Sequence, residues 1–284
     1  MQIAPFVTDA HEGWIRAIIP LEEGAVFTTS DDTLVKLWSP DGDLLQRYEG
    51  HTDVVRSATV LANRSLLATA AFDLSVNLLD VESGRVDRTI EAHTDAARVV
   101  LYLGETLFLS GSADATIKRW DLEAETPLQT LTGHSEWIND LILLPDSWLL
   151  SASGDYTIKL WDLDSEQVLR TFAGHEHWVA DIALIDERHF LSSGSDSRIN
   201  LWHVEQEEPV RSFNGHTDAV RYVVPVDQDR FISLSFDKTI RLWALDGEEL
   251  ARIDVEHAPL CGLHIGDNIL LVGDEEGNLL RLEI

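Results

Sequence analysis

The sequence predicts an all-β fold, a seven-bladed β-propeller with four antiparallel strands per blade, and three observations carry that expectation. A histidine recurs at His11, His51, His93, His134, His175, His216 and His257, at intervals of 40, 42, 41, 41, 41 and 41 residues. An aspartate follows at Asp32, Asp73, Asp114, Asp155, Asp196 and Asp237, each 41 residues after the last. Each unit also breaks into short segments rich in Ile, Leu, Val, Trp and Thr, punctuated by Gly, Pro, Asp and Ser, with no sustained helical period. A repeat of about 40–45 residues holding four strands indicates a propeller rather than a solenoid of shorter coils.

The stretch from Gly133 to Leu163 shows the plan of one unit. Trp137 to Leu143, Trp148 to Ser153 and Thr157 to Asp162, with Val168 to Phe172 beyond, read as four strands joined by tight turns. Four residues before each aspartate stands a hydroxyl, Thr28, Thr69, Ser110, Ser151, Ser192 or Ser233, and six after it Trp38, Leu79, Trp120, Trp161, Trp202 or Trp243. Blade two therefore lacks the indole. The last repeat carries Val272, Glu276 and Leu282 at the hydroxyl, aspartate and tryptophan positions, and it is short, with His257 only 19 residues before Glu276. Its polar set is expected to be incomplete. The extended segment Gln2 to Val7 is expected to supply the outer strand of blade seven, closing residues 1–284 into one propeller domain without open sheet edges.

Composition permits this fold and limits the function. A chain of 284 residues, 44% hydrophobic, buries roughly 75% of the surface its unfolded form exposes. The single cysteine, Cys261, excludes an internal disulfide framework. No basic segment followed by an apolar run opens the chain, and no stretch approaches the ~20 apolar residues of a membrane span. The expectation is a cytoplasmic, monomeric propeller with no membrane partner. The 50 Asp and Glu outweigh 21 Lys and Arg, a formal net charge of −29, and a field of that sign disfavours nucleic acid as a ligand.

With Gly-His at 50–51, 133–134, 174–175 and 215–216, and Trp-Asp at 120–121 and 161–162, the chain resembles the WD-repeat β-propeller family over essentially its whole length. The resemblance implies buried hydrogen-bonded tetrads: His11, Thr28, Asp32, Trp38; His93, Ser110, Asp114, Trp120; His134, Ser151, Asp155, Trp161; His175, Ser192, Asp196, Trp202; and His216, Ser233, Asp237, Trp243. Physical chemistry supports a structural role, because each satisfied bond contributes about 1 kcal/mol and each orphaned buried partner costs about 1–3 kcal/mol. The competing reading is a set of catalytic triads. Recurrence in six blades argues against it, since an active site needs one special constellation. The other histidines, His177, His189, His203 and His264, show no metal-ligand spacing. No catalytic residue, cofactor or metal is expected.

The resemblance also implies where partners meet the fold: on the top face, at the third and fifth residues after each histidine and the one before each aspartate. The fifth position reads Arg16, Arg56, Arg98, Asn139, Ala180, Arg221 and Gly262, expected around the channel mouth. The third adds Trp14, Trp137 and Trp178, and the pre-aspartate position adds Phe72 and Phe236. The opposite loops are acidic, with Glu22, Glu23, Asp41 and Asp43 among many. Arginine and aromatic residues are enriched at interaction hot spots, and the guanidinium fork suits carboxylate or phosphate. The expected function is a non-catalytic protein-interaction scaffold or sensor that docks an acidic or phosphorylated peptide. The alternatives are a regulatory propeller domain of a larger signalling protein with a kinase, protease or NTPase part, and a propeller enzyme. The bland reading pairs Arg56, Arg98 and Arg221 with Asp53, Asp95 and Asp218, pairs that contribute little when exposed.

Overall fold

A computed structural model describes residues 1–61 and 65–284. Among these residues 28 strands form seven four-stranded sheets, the blades of a seven-bladed β-propeller. Blade four matches its sequence plan closely, with strands Ile138–Leu144, Trp148–Ser153, Thr157–Asp162 and Gln167–Ala173. Neighbouring strands within the blades are antiparallel and joined by short turns.

Position within the blade decides what each strand contains. The second strand is buried on both faces, as in Leu107–Ser112 and Trp148–Ser153, and its residues are apolar or small throughout. The fourth strand is an outer edge: Val86–Ile90 is mostly exposed and mixes charge with apolar residues. Gly111 shows why small residues are required in the second strand, because a Cβ there would lie 2.8 Å from both Val99 Cγ1 and Ile138 Cγ2.

The chain forms two compact units. One is Pro5–Ile138 with Glu275–Leu280, and the other is Asn139–Asp274 with Met1–Ala4 and Arg281–Ile284. In the first, Phe27, Leu37 and Tyr48 of blade one pack on Val55, Leu67 and Leu79 of blade two, and Ala68, Leu78 and Ile90 of blade two pack on Val100, Phe108 and Trp120 of blade three. In the second, Leu150, Leu160 and Phe172 meet Ile182, Phe190 and Trp202, and Leu191, Leu201 and Phe213 meet Val223, Phe231 and Trp243. Burying these side chains between sheets supplies the main stabilisation, on the order of 2 kcal/mol for each large residue.

The terminal strands share a sheet, ordered Gln2–Val7, Leu279–Glu283, Ile269–Asp274, Pro259–His264. Backbone bonds extend this link beyond the strands: His11 N–H donates to Gly277 O at 3.0 Å. Gly277 has a φ of +83°, and a Cβ on it would lie 2.2 Å from His11 O, so only glycine fits.

One irregularity recurs and matters for the site. Early in the first strand of a blade the register slips by one residue, between Ile15 and Ala17, Val55 and Ser57, Ala97 and Val99, Val179 and Asp181, Val220 and Tyr222, and Pro259 and Cys261. The residues inside these bulges are Arg16, Arg56, Arg98, Ala180, Arg221 and Leu260. A bulged residue has no cross-strand partner, so its side chain is re-aimed out of the pleat.

Candidate functional site

The polar tetrads are built as continuous proton chains. In blade one Trp38 Nε1–H donates to Thr28 Oγ1 at 2.8 Å, Thr28 lies 2.7 Å from His11 Nε2, and His11 Nδ1 lies 2.8 Å from Asp32 Oδ2. Blades three, five and six repeat the set with all distances between 2.7 and 2.9 Å, through Trp120–Ser110–His93–Asp114, Trp202–Ser192–His175–Asp196 and Trp243–Ser233–His216–Asp237. In blade four Trp161 Nε1–H donates to Ser151 Oγ at 2.8 Å, and His134 is buried. Blade two keeps His51, Thr69 and Asp73 but has Leu79 where the indole stands. Val272 and Leu282 make this part of blade seven apolar.

The chain of donors assigns the protons. The hydroxyl accepts from the indole and gives its own hydrogen to Nε2, so the imidazole is neutral and donates from Nδ1 to an ionised carboxylate. Charge energetics agree. Burial pushes His11 and His216 below the usual histidine range against the pull of Asp32 and Asp237. Burial acts to raise Asp32, but hydrogen bonds from His11 and from the amides of Glu12 and Leu34 overcome it and hold that carboxyl at about 2. Asp237 is held at about 2 in the same way, by Thr239, the Thr217 amide and His216. The set has the atoms of a Ser-His-Asp triad without its chemistry. Ser110, Ser151, Ser192 and Ser233 are fully buried, and each oxygen already accepts an indole N–H.

The residues expected to meet a partner divide into three groups. In blades one and three, the bulged arginine lies against aromatic rings. The Arg16 guanidinium sits 4.7 Å from the Trp14 ring centroid and forks onto Asp31, its Nη2–H donating at 2.7 Å. The Arg98 guanidinium lies 5.5 Å from the Phe72 ring and 5.9 Å from the Trp137 ring. Arg56 occupies the bulge of blade two. In the other unit, Arg221 lies 5.9 Å from the Phe236 ring, and Trp178 is exposed next in the chain to His177, whose ring lies 5.8 Å from that of Tyr156.

Asn139 is a correction. It is 3% exposed and donates from Nδ2 to Val179 O at 2.6 Å, so it joins blade four to blade five and presents no surface to a partner. Gly262 is misplaced by counting from His257, because the short last repeat puts Leu260 in the bulge. The bland pairing concerns Arg56, Arg98 and Arg221; Arg16, outside it, pairs with Asp31. Asp53, Asp95 and Asp218 each accept the next residue's backbone N–H at 2.7 Å, which fixes their own loops.

Comparison with known proteins accords with this geometry. The family model for the WD domain, G-beta repeat, matches residues 42–80, 84–121, 125–162, 166–203 and 207–244. The chain belongs to the WD40 repeat family. Its WD40 fold superimposes on the crystal structure of the WD40 β-propeller domain of Doa1 with a TM-score of 0.86, at 23% identity, covering 98% of this chain and 94% of that one. Among curated proteins it is 35% identical over 94 residues to eukaryotic translation initiation factor 3 subunit I of Culex quinquefasciatus, covering 32% of this chain and 29% of that protein. It is 32% identical over 69 residues to the ubiquitin homeostasis protein lub1 of Schizosaccharomyces pombe, covering 24% of this chain and 10% of that protein. The matched stretches thus span only a minor part of these curated relatives.

Two sets of working residues in this WD40 chain escape a reading based on the histidine and aspartate alone. The residue two before the tryptophan is a cation in four blades, and it braces the loop above or the neighbouring strand: Lys36 Nζ donates to Ala10 O at 2.6 Å, Lys118 to Ala92 O at 2.7 Å, Lys159 to Thr171 Oγ1 at 3.1 Å, and Arg241 to Glu249 Oε2 at 2.7 Å. Three of the four lysines in the sequence sit there, and that fixed offset was the available signal. The second set joins blades. Asp140 accepts from Ile182 N at 3.2 Å and Asp181 from Val223 N at 2.9 Å.

Proposed function

We propose that this WD40 chain is a non-catalytic protein-interaction module that docks an acidic or phosphorylated peptide on the arginine–aromatic surface of blades one to three. The observation that carries the reading is Arg98, placed at a backbone bulge and lying over both Phe72 and Trp137. Stacking on rings holds a guanidinium by its faces, while its N–H groups lie in its own plane and suit the two oxygens of a carboxylate or phosphate. Arg16 supports the reading because its fork already holds a carboxylate, that of Asp31, in this geometry. A protein partner fits the relatives named as subunits of an initiation factor, that is, as parts of an assembly. A non-catalytic role accords with tetrads whose nucleophile-like hydroxyls are buried and committed to indole and imidazole.

The test is affinity capture with the wild-type chain, with Arg16, Arg56 and Arg98 replaced together by Ala, and with Arg221→Ala alone. Loss of captured proteins in the triple variant, with an unchanged circular dichroism spectrum, is the expected result. Capture of the same proteins by the triple variant refutes the proposal.

A further inference from the structure

The end of blade one opposite His11 holds an apolar groove that the arginine surface does not use. Leu21, Ala25, Leu37, Pro40 and Leu45 line it with Glu22 and Glu23, and its volume is about 500 Å³, within the range of roughly 300–1,000 Å³ of sites that bind ligands. Its floor belongs to the core: Ala25 and Leu37 are buried in the cluster that contains Phe27 and Tyr48, with Leu21 packed beside them. Its wall does not, since Leu45 is 54% exposed.

The two loops around the groove are pre-formed. Leu21 N–H donates to Ala25 O at 2.8 Å, and across the groove Ser39 N–H donates to Asp43 O at 2.8 Å. Ser39 Oγ accepts from the amides of Asp41 and Asp43 at 3.2 and 3.0 Å. Gly24 has a φ of +80°, and a Cβ there would lie 3.3 Å from Pro40 Cγ, so its missing side chain lets the loops approach. A groove that needs little ordering keeps more of its contact energy as affinity.

Charge identifies the occupant. Among the described residues the lining includes two carboxylates, Glu22 and Glu23, and no basic side chain. Asp41 and Asp43 stand exposed on the loop that carries Pro40. The whole chain carries a formal charge of −29, which adds to the attraction of a cation towards this carboxylate-lined end.

We propose that this groove docks a short segment of a protein partner in which a large apolar side chain is flanked by Lys or Arg. The apolar group seats on Leu21, Leu37 and Leu45, and the cation faces Glu23. This surface is separate from the arginine–aromatic one, so either proposal stands if the other fails.

The probe is a fluorescein-labelled 12-residue peptide of repeating Leu-Leu-Lys-Lys, read by fluorescence polarisation at about 0.15 M salt, where the Debye length is about 8 Å and diffuse attraction is screened. Two comparison peptides replace every Leu by Ser or every Lys by Gln. The parent peptide is expected to bind saturably and each comparison peptide at least tenfold more weakly. Leu45→Ser, on an exposed side chain, is expected to weaken binding about five- to tenfold, as the loss of most of one leucine contact requires. Glu23→Gln is expected to weaken it about twofold or more, while Glu208→Gln, an equal charge change on a blade-five loop, leaves it unchanged. Equal binding by the Ser peptide or the Gln peptide overturns the proposal. So does an effect of Glu208→Gln as large as that of Glu23→Gln, or an unaffected Leu45→Ser variant whose melting curve matches wild type.

Discussion

Removing the hydroxyl from a complete tetrad should cost more than removing it from the tetrad that lacks an indole. In blade three, Ser110 Oγ lies 2.7 Å from His93 Nε2 and 2.8 Å from Trp120 Nε1, with Ser110 at 0% and Trp120 at 2% exposure. Ser110→Ala therefore strands two buried polar atoms that water cannot reach, at about 1–3 kcal/mol each, or roughly 2–6 kcal/mol together. In blade two, Thr69 Oγ1 lies 2.8 Å from His51 Nε2, and buried Leu79 takes the indole's place. Thr69→Val keeps the side-chain shape and strands one atom, for about 1–3 kcal/mol. The assay is urea unfolding followed by far-ultraviolet circular dichroism and tryptophan fluorescence, comparing midpoints at unchanged slope. Losses that agree to within about 0.5 kcal/mol, the usual error of additivity, would refute the claim that the hydroxyl works by joining indole to imidazole.

Three further outcomes are expected. Asn77 is 1% exposed and, among the described residues, neither its Nδ2 nor its Oδ1 has a hydrogen-bond partner, so Asn77→Leu should raise stability by about 1–2 kcal/mol in the same urea assay. Acid should weaken the fold in two stages: His11 and His216 titrate below 6.5 when folded, so the unfolded state binds more protons as pH falls from about 6.5, and that part of the stability is full only above it. Asp32 and Asp237 fall from 3.8 to about 2, adding about 2 kcal/mol each that is present above pH 4 and lost as pH falls towards 2, so a melting temperature flat between pH 7 and 3 contradicts the assignment. Deleting residues 1–8 removes the strand Gln2–Val7 and exposes the edge of Leu279–Glu283, and it should lower the melting temperature by roughly 5 °C or more, measured by calorimetry.

What was legible in the sequence follows from what a repeat can encode. Residues that do the same work in every blade recur at fixed offsets, so the tetrads, the missing indole at Leu79 and the outer strand Gln2–Val7 could all be read by counting. Counting fails where the backbone gains or loses a residue. Blade seven is short before its second strand, so the fifth residue after His257 is Gly262 while the bulge falls at Leu260. Counting is also blind to direction: Asn139 shares an offset with Arg16 and Arg98, but its short amide turns to Val179 O. Sequence distance alone cannot pair Arg16 with Asp31, because Asp31 is 15 residues away along the chain and beside it across the strand pair.

The bulge explains why one repeat can hold both a repeated frame and a variable surface. A strand residue paired on both sides has its side-chain direction set by the pleat, as at Leu150 and Ala152, whose side chains lead into the core. The residue inside the bulge is released from this constraint, and its identity costs the frame little. Six blades show the result: arginine at 16, 56, 98 and 221, alanine at 180 and leucine at 260, with the flanking residues Ile15, Val55, Ala97, Val179, Val220 and Pro259 buried and apolar in every case. The aromatic rings that meet these arginines come from two places just outside the strands, the residue before the turn aspartate at Phe72 and Phe236 and the residue before the first strand at Trp14 and Trp137. Substitutions at these positions can therefore change the surface around the bulges without disturbing a tetrad.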